Sequence, residues 1–268
     1  MFSRTILSDK RSEKIASHQR IIRICHHQVM RHLPPKNHFP TARAIIHFEG
    51  KNGPDGLPSK HAIDDEPYQF INPEHNDGKL MKHIENHLHN AHVAYRRRNT
   101  VRLEFELSWL QHMVVDGLTP AHHQPFKDQL KAMDSRTQQQ LNSLFKRIFV
   151  PGRNFRDIFQ KNWRRLGPRG LGTNHILFEA GIDFLIMPLR PKTYDVEISK
   201  YDIEKAKTGH FKDIYLASVH DIARLKMFER YEAQGWTTSL ATDTREILIP
   251  TCIRMVTLAW LAAIYKGK

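Results

Sequence analysis

Apolar residues recur with helical periodicity in six segments of the chain. The first segment, 11–33, places apolar side chains three or four positions apart with basic residues between them, which predicts a helix that ends at Pro34 and Pro35. Five later segments show the same periodicity: 79–98, 100–116, 173–187, 197–234 and 242–265. The segment 197–234 is expected to break near Gly209. Because strand-like alternation persists nowhere along the chain, the pattern predicts an all-α fold.

Two long segments lack this periodicity. Residues 36–79 are dense in glycine and proline, which predicts a long loop, and loops of this length inside a compact domain are usually functional or disordered. A second polar region runs from 123 to 172. The length of 268 residues suits one large domain or two modest ones, and we favour one compact multi-helix domain that spans 1–268.

The most apolar segment, 247–265, reads "ILIPTCIRMVTLAWLAAIY" and approaches the length of a membrane span. Pro250 and Arg254 interrupt it, which favours a buried terminal helix over a transmembrane segment. The first twenty residues lack the apolar stretch of a secretory signal peptide, so the sequence as given predicts a cytoplasmic protein.

The amino-acid composition adds one property that the hydrophobic pattern does not show, which is a large positive net charge. Hydrophobic residues at 40% and charged residues at 26% are typical of a globular protein, but 41 Lys and Arg against 28 Asp and Glu give a formal net charge of +13. Such a surplus favours anionic partners: phosphate esters, nucleic acid or acidic lipid surfaces. The two cysteines, Cys25 and Cys252, match neither a disulfide framework nor a Cys-rich zinc spacing.

The segment "LSWLQHMVVDGLTPAHH" contains the first candidate chemistry. His112 and Asp116 lie four residues apart, so on a helix an imidazole and a carboxylate project from one face, an arrangement that suits a divalent metal ion. A turn at Gly117 and Pro120 would bring His122 back toward the helix end. The alternative interpretation is a half-buried helix with a polar stripe.

A second pair with the same spacing, His175 and Glu179, lies in "TNHILFEAG". Histidine and carboxylate ligands from separate helices assemble metal clusters in the cores of helical bundles, and zinc binds this mixture of ligands well. The two pairs therefore predict ligands that converge in a cleft between helices.

These motifs, in this order, resemble the zinc-dependent phospholipase C family, which is related to the fungal single-strand-specific nucleases. Further similarity lies in "IASHQRIIR", which contains His18, in "GPDG", which contains Asp55, in "FINPEHNDGK", and in the final helix. Both groups are nearly all-helical, have a trinuclear zinc site in a cleft and hydrolyse phosphodiesters. The resemblance covers most of the chain, and it makes 123–172 an insertion relative to the shorter bacterial phospholipases.

The resemblance implies up to three zinc ions and seven protein ligands: His18, Asp55, His112, Asp116, His122, His175 and Glu179. Asp55 and His112 would serve the first zinc, and Asp55 would also orient or deprotonate the attacking water as a catalytic residue. Asp116 would bridge this zinc to a second zinc bound by His18. The last three ligands would hold the third zinc.

Two departures from the family pattern concern the zinc ligands. Gln69 in "YQFINP" stands where the family has a histidine, and glutamine is a poor zinc ligand beside imidazole. The mature family enzymes also use an N-terminal tryptophan as a ligand, whereas 17 residues precede His18 in this chain and none is a tryptophan. Four nearby residues could substitute, and the sequence selects none of them: His61, Asp64, Asp65 and His75.

The resemblance thus implies a zinc-dependent phosphodiester hydrolase, in which a zinc-activated water attacks the phosphorus of a phospholipid or a nucleotide. The alternative is a metal-depleted relative whose basic surface binds single-stranded nucleic acid or an acidic membrane without hydrolysis. Trp163 in "KNWRRLGPRGLG" marks the better candidate for such a contact. His83 and His87 in "KHIENHLHNAH" lack the metalloprotease arrangement, and we interpret them as a solvated helical face.

Overall fold

The computed structural model describes residues 17–49, 71–76, 79–123 and 171–265. The α-helices in these ranges are α1 (Ser17–Met30), α2 (Ala42–His47), α3 (Lys79–Arg96), α4 (Thr100–Leu118), α5 (Leu171–Ile186), α6 (Lys200–Lys205), α7 (Phe211–Arg224), α8 (Met227–Gln234), α9 (Thr238–Asp243) and α10 (Ile249–Tyr265). Shorter turns of helix are Pro120–His122 after α4, Ala206–His210 between α6 and α7, and Thr244–Leu248 between α9 and α10. Within the described ranges the only β-pairing is an isolated bridge between Ile71 and His123, so the all-α prediction is confirmed.

The predicted helices agree with the observed ones except in the segment 197–234. The prediction of a loop over 36–79 was wrong at α2, where the side chain of Thr41 caps the helix start by accepting a hydrogen bond from the amide of Ala44. The expected break occurs at Gly209, whose φ of 96° lies in the left-handed region that glycine adopts without a steric penalty. A second break, which the sequence did not predict, occurs at Lys226, where φ is 48°. Neither glycine nor proline marks that position, so no sequence signal for a helix end was present.

Helix α4 has clear start and stop signals. The side chain of Asn99 accepts a hydrogen bond from the amide of Arg102 at 3.1 Å, which satisfies one of the free amides at the helix start. At the other end Thr119 has extended backbone geometry, and its hydroxyl donates to the carbonyl of Val115 at 2.9 Å. Pro120 then begins the short 3-10 turn. Helix α4 therefore ends within one helical turn of Asp116.

Helix α10 lies at the centre of the hydrophobic core and packs against α1, α3 and α4. Almost all of its side chains are buried, and the indole of Trp260 donates a hydrogen bond to the carbonyl of Leu107 on α4 at 3.0 Å. A helix that is apolar on all sides is expected in such a position. Helices α1 and α4, which carry His18, His112 and Asp116, thus pack against this apolar helix.

The apolar segment that contains α10 was also considered as a possible membrane span. Among the residues that the structure describes, Thr238–Tyr265 is the one helix long and apolar enough to cross a membrane, and 78% of its most apolar window is buried inside the protein. The predicted buried terminal helix agrees with this burial. The cytoplasmic location and the domain bounds stay predictions, and the proposed insertion lies largely outside the described residues.

Gly117 allows α4 to approach α3 and α7 closely. A β-carbon at this position would lie 2.1 Å from the Tyr215 hydroxyl oxygen and 2.4 Å from Cδ2 of Leu80, and both of these side chains are fully buried. We expect Gly117→Ala to lower the free energy of unfolding by about 1–3 kcal/mol, measured by urea denaturation, because the clash forces packed side chains to move. In a Tyr215→Phe background the same substitution should cost less. An equal cost in both backgrounds would contradict the steric explanation.

Candidate metal centre

Helix α4 buries polar side chains inside an apolar environment. His112 and Asp116 have 0% and 1% of their surface exposed, so the helix is fully buried at this point and the half-buried alternative is wrong. Buried histidine and carboxylate groups are costly unless they are hydrogen-bonded, paired or bound to a metal ion. These buried groups therefore need hydrogen-bonding, charged or metal-ion partners nearby.

His18, His112 and Asp116 form the first of two clusters, and each offers one ligand atom within 4.8 Å of the others. Nε2 of His112 lies 3.0 Å from Oδ2 of Asp116, and Nε2 of His18 lies 3.4 Å from Oδ1. The two imidazole rings stack with their centroids 4.2 Å apart. Each carboxylate oxygen of Asp116 therefore faces a different imidazole, which is the geometry required of a carboxylate that bridges two cations.

The second cluster is formed by His122, His175 and Glu179, whose ligand atoms also lie within 4.8 Å of one another. Oε1 of Glu179 lies 3.0 Å from Nε2 of His122 and 3.2 Å from Nε2 of His175. His122 ends the 3-10 turn after α4, and its carbonyl accepts a hydrogen bond from the amide of Ile71 at 3.2 Å. Three potential ligands from two separate parts of the chain thus converge on a single point.

The electrostatics of the clusters favour the ionisation states that bind metals. Burial alone would raise the pKa of Asp116, but its interactions with the imidazoles of His112 and His122 outweigh burial and hold this pKa well below its usual value. Glu179 shows the same balance: burial opposes ionisation, and surrounding positive charge, to which His175 contributes, keeps its pKa well below the ordinary range. Burial lowers the pKa of His122, so its imidazole is neutral at pH 7, the form that binds metal ions.

Comparison of the chain with protein-family models, with curated proteins and with solved structures found no match. The interpretation of the site therefore rests on the motifs and on the geometry of the described residues. Six of the seven ligands that the resemblance implies lie in the two clusters. The seventh, Asp55, lies outside the described residues, as do Gln69, His61, Asp64 and Asp65, and His75 is exposed and belongs to neither cluster.

Both clusters could bind a metal ion. Each presents two imidazoles and one carboxylate, all largely buried, and this donor set suits zinc and other divalent transition metals. The clusters are also neighbours, because His122 of the second cluster interacts electrostatically with Asp116 of the first. The donor chemistry therefore fits a centre with more than one metal ion.

Glu49 is a buried residue of the site that the sequence did not reveal. Its Oε1 accepts a hydrogen bond from Nδ1 of His112 at 3.0 Å, and its Oε2 accepts one from the Ser108 hydroxyl at 3.3 Å. A carboxylate in this position keeps the proton on Nδ1 and leaves Nε2 to bind a metal ion. At the other imidazole of the cluster, the Gln111 amide lies 3.0 Å from Nδ1 of His18.

This arrangement predicts that Glu49 tunes metal affinity without binding the metal. We expect Glu49→Gln to weaken zinc binding at the first cluster by about 10- to 100-fold, because Nδ1 of His112 loses its charged acceptor. Competition against a chromophoric chelator measures this change. Ser108→Ala is the matched control, since it removes only the contact to Oε2 and should leave affinity nearly unchanged. Parental affinity in Glu49→Gln would contradict the assigned role.

Asp183 is a half-buried acid that the sequence interpretation missed. It lies on α5 one turn beyond Glu179, and its Oδ1 accepts a hydrogen bond from the hydroxyl of Ser17, the residue before His18. Burial raises the pKa of the Asp183 carboxyl to about 6. The carboxyl also interacts electrostatically with His18 and Glu179, although it belongs to neither cluster.

The two other motifs singled out in the sequence have different outcomes. His87 is not part of a solvated face, because its side chain is only 13% exposed and Nδ1 is paired with the fully buried Glu106 of α4. Arg102, whose side chain is exposed, contacts the other oxygen of Glu106. The basic segment with Trp163 lies outside the described residues.

Proposed function

We propose that the protein is a zinc-dependent phosphodiester hydrolase. The observation that carries this proposal is the pair of neighbouring buried clusters, each with two imidazoles and one carboxylate. A carboxylate with its two oxygens directed at different imidazoles adds support, since Asp116 is placed to serve two ions. The motif resemblance to the phospholipase C family points to the same chemistry.

When bound, zinc ions activate water as a nucleophile and offset the negative charge that develops on phosphate oxygens. The protein contributes a fixed set of ligands for this chemistry. Glu49 orients the imidazole of His112, and the depressed pKa of Asp116 keeps its carboxylate ionised at neutral pH. The formal charge of +13 draws anionic substrates toward the protein, whether phospholipid or nucleic acid. Asp55 remains the proposed residue for orienting or deprotonating the attacking water.

The proposal is tested first by the metal content of the protein, purified without chelator and measured by elemental analysis. We expect at least two zinc ions per chain, with metal lost in both His112→Ala and His175→Ala. His220→Ala is the matched control, because His220 is hydrogen-bonded to Asn76 away from both clusters. Hydrolysis of phosphatidylcholine vesicles, single-stranded DNA and bis(p-nitrophenyl) phosphate is then compared with and without zinc.

A parent protein that takes up no zinc after reconstitution would exclude the hydrolase. Steeply salt-dependent binding of single-stranded DNA or acidic vesicles, without turnover, would then favour the metal-depleted binding protein. Metal uptake combined with hydrolysis of only one substrate class would support the proposed chemistry and identify the substrate.

A further inference from the structure

The connection between α3 and α4 carries a concentrated positive charge. The stretch from 86 to 103 contains four arginines and no acidic residue. Three of these arginines, Arg96, Arg97 and Arg98, are consecutive and exposed, and we call them the arginine turn. No acidic side chain in the described part of the chain is paired with any of the three. The arginine turn therefore presents three charges to solvent that the fold itself does not use.

The arginine turn lies at an end of the helix bundle where several segments of the chain meet. His92, near the end of α3, donates a hydrogen bond from Nδ1 to the carbonyl of Ala263, near the end of α10, at 3.0 Å. Nε2 of His38 donates to the carbonyl of Tyr95 at 2.8 Å. Only one residue separates His38 from the exposed Lys36, so this contact brings Lys36 toward the arginine turn. Lys36 thus adds a fourth positive charge at the same end of the bundle.

This basic end is remote from the candidate metal centre. Helix α4 begins at Thr100, just after the arginine turn, and carries Asp116 in its last turn. At 1.5 Å per residue, about 24 Å of helix separates the two. The charges of the arginine turn are therefore available to a partner other than a phosphodiester held at the clusters.

An exposed apolar side chain distinguishes between the two kinds of anionic partner. Val101, in the first turn of α4, is 63% exposed and lies in the sequence between Arg98 and Arg102. An acidic membrane suits both features, because its headgroups attract arginine and the acyl-chain boundary accepts an apolar side chain. Single-stranded nucleic acid is bound instead through aromatic rings that stack on bases. The ring next to the arginine turn, Tyr95, is half-buried and already stacked on His38, with the centroids 4.0 Å apart.

We propose that the arginine turn and Val101 form a docking surface for membranes that contain acidic phospholipids. The guanidinium groups lie among the lipid headgroups, and Val101 enters the boundary between headgroups and acyl chains. The docking surface uses no residue of either cluster and needs no zinc. It goes beyond the proposed hydrolysis, because it assigns the protein a binding partner at the opposite end of α4.

The test measures binding of the full chain to vesicles by co-sedimentation in chelator. Vesicles of phosphatidylcholine alone are compared with vesicles that also contain phosphatidylserine. We expect binding to require phosphatidylserine and to weaken as salt is added. Glutamine at all three positions of the arginine turn should weaken binding by roughly 100-fold, since each basic residue near an acidic surface contributes on the order of fivefold. Val101→Ser should weaken it by roughly fivefold, because the apolar side chain that leaves water is lost.

The matched control removes three positive charges from the other end of the bundle. It combines Arg224→Gln, Lys226→Gln and Arg245→Gln, all at exposed positions. Arg224 lies one turn beyond His220, which is hydrogen-bonded to Asn76 ahead of α3, and Arg245 precedes the start of α10. This control has the same net charge as the variant of the arginine turn and should bind vesicles as the parent does. Melting temperatures check that every variant is folded.

Three outcomes would overturn the proposal. The first is parental binding by the variant of the arginine turn, and the second is an equal loss in both triple variants, which would reflect net charge alone. The third is binding of single-stranded DNA but not of vesicles, lost in the variant of the arginine turn and retained in Val101→Ser, which would assign the surface to nucleic acid. Because the assay contains chelator, failure of the proposed hydrolase leaves its result unaffected.

Discussion

Asp116→Asn is expected to reduce zinc-dependent phosphodiester hydrolysis by about 1,000- to 10,000-fold, which corresponds to about 4–5 kcal/mol of lost transition-state stabilisation. Its two oxygens face the imidazoles of His112 and His18, so both of the proposed metal positions would depend on one carboxylate. An asparagine keeps the shape but offers a single neutral oxygen. The measurement is kcat/KM at saturating zinc, with zinc content determined on the same samples.

The matched control for this substitution is Asp213→Asn. Asp213 is an exposed aspartate on α7 that pairs with His210 at 3.3 Å, far from the chemistry assigned to the clusters, and its loss should leave hydrolysis unchanged. Circular dichroism in chelator checks that Asp116→Asn is folded. Activity within tenfold of the parent, in a folded variant that has lost zinc, would exclude Asp116 and its metal ions from the reaction.

The second large effect is on stability and concerns His123, which follows the candidate ligand His122 in the sequence. Its ring is buried, Nε2 donates to the carbonyl of Gly117 at 3.3 Å, and burial lowers its pKa from 6.5 to about 4. Between these two values the unfolded chain takes up a proton that the folded protein does not. Stability is therefore fully present above pH 6.5 and is lost as the pH falls toward 4, by about 3 kcal/mol.

Urea denaturation of the metal-free protein at pH 7.5 and pH 4.5 measures this loss. The variant His123→Gln has no titrating ring but can still donate to the Gly117 carbonyl, so it isolates the contribution of His123 from that of other buried groups. We expect the parent to lose about 3 kcal/mol more than the variant on acidification. The same pH dependence in both proteins would show that protonation of His123 is not responsible.

The sequence predicted most of the helices because apolar residues recur along them with helical periodicity. It missed the break at Lys226 because a lysine with left-handed backbone geometry carries no sequence signal. The ligand pairs were predictable because a spacing of four residues places both partners on one face of a helix. The role of Glu49 was not predictable from the sequence. Its contact with His112 joins residues 63 positions apart and exists only after α2 packs against α4.

Asp183 lies between these two cases. It continues the spacing of His175 and Glu179 by one more turn, so the pattern that nominated those residues could have nominated it as well. The sequence could not show the partner of Asp183, because its contact with Ser17 depends on how α1 packs on α5. Local spacing can thus propose a third acid, but only tertiary packing shows that it contacts α1.

The central position of α10 also bears on when the candidate site can form during protein synthesis. Every candidate ligand in the described chain, from His18 to Glu179, is synthesised before α10, yet α1, α3 and α4 all pack against that helix. A nascent chain therefore carries a complete set of ligands before it has the core that aligns them. Because domains fold as units during synthesis, the site would be assembled only after the ribosome has released α10.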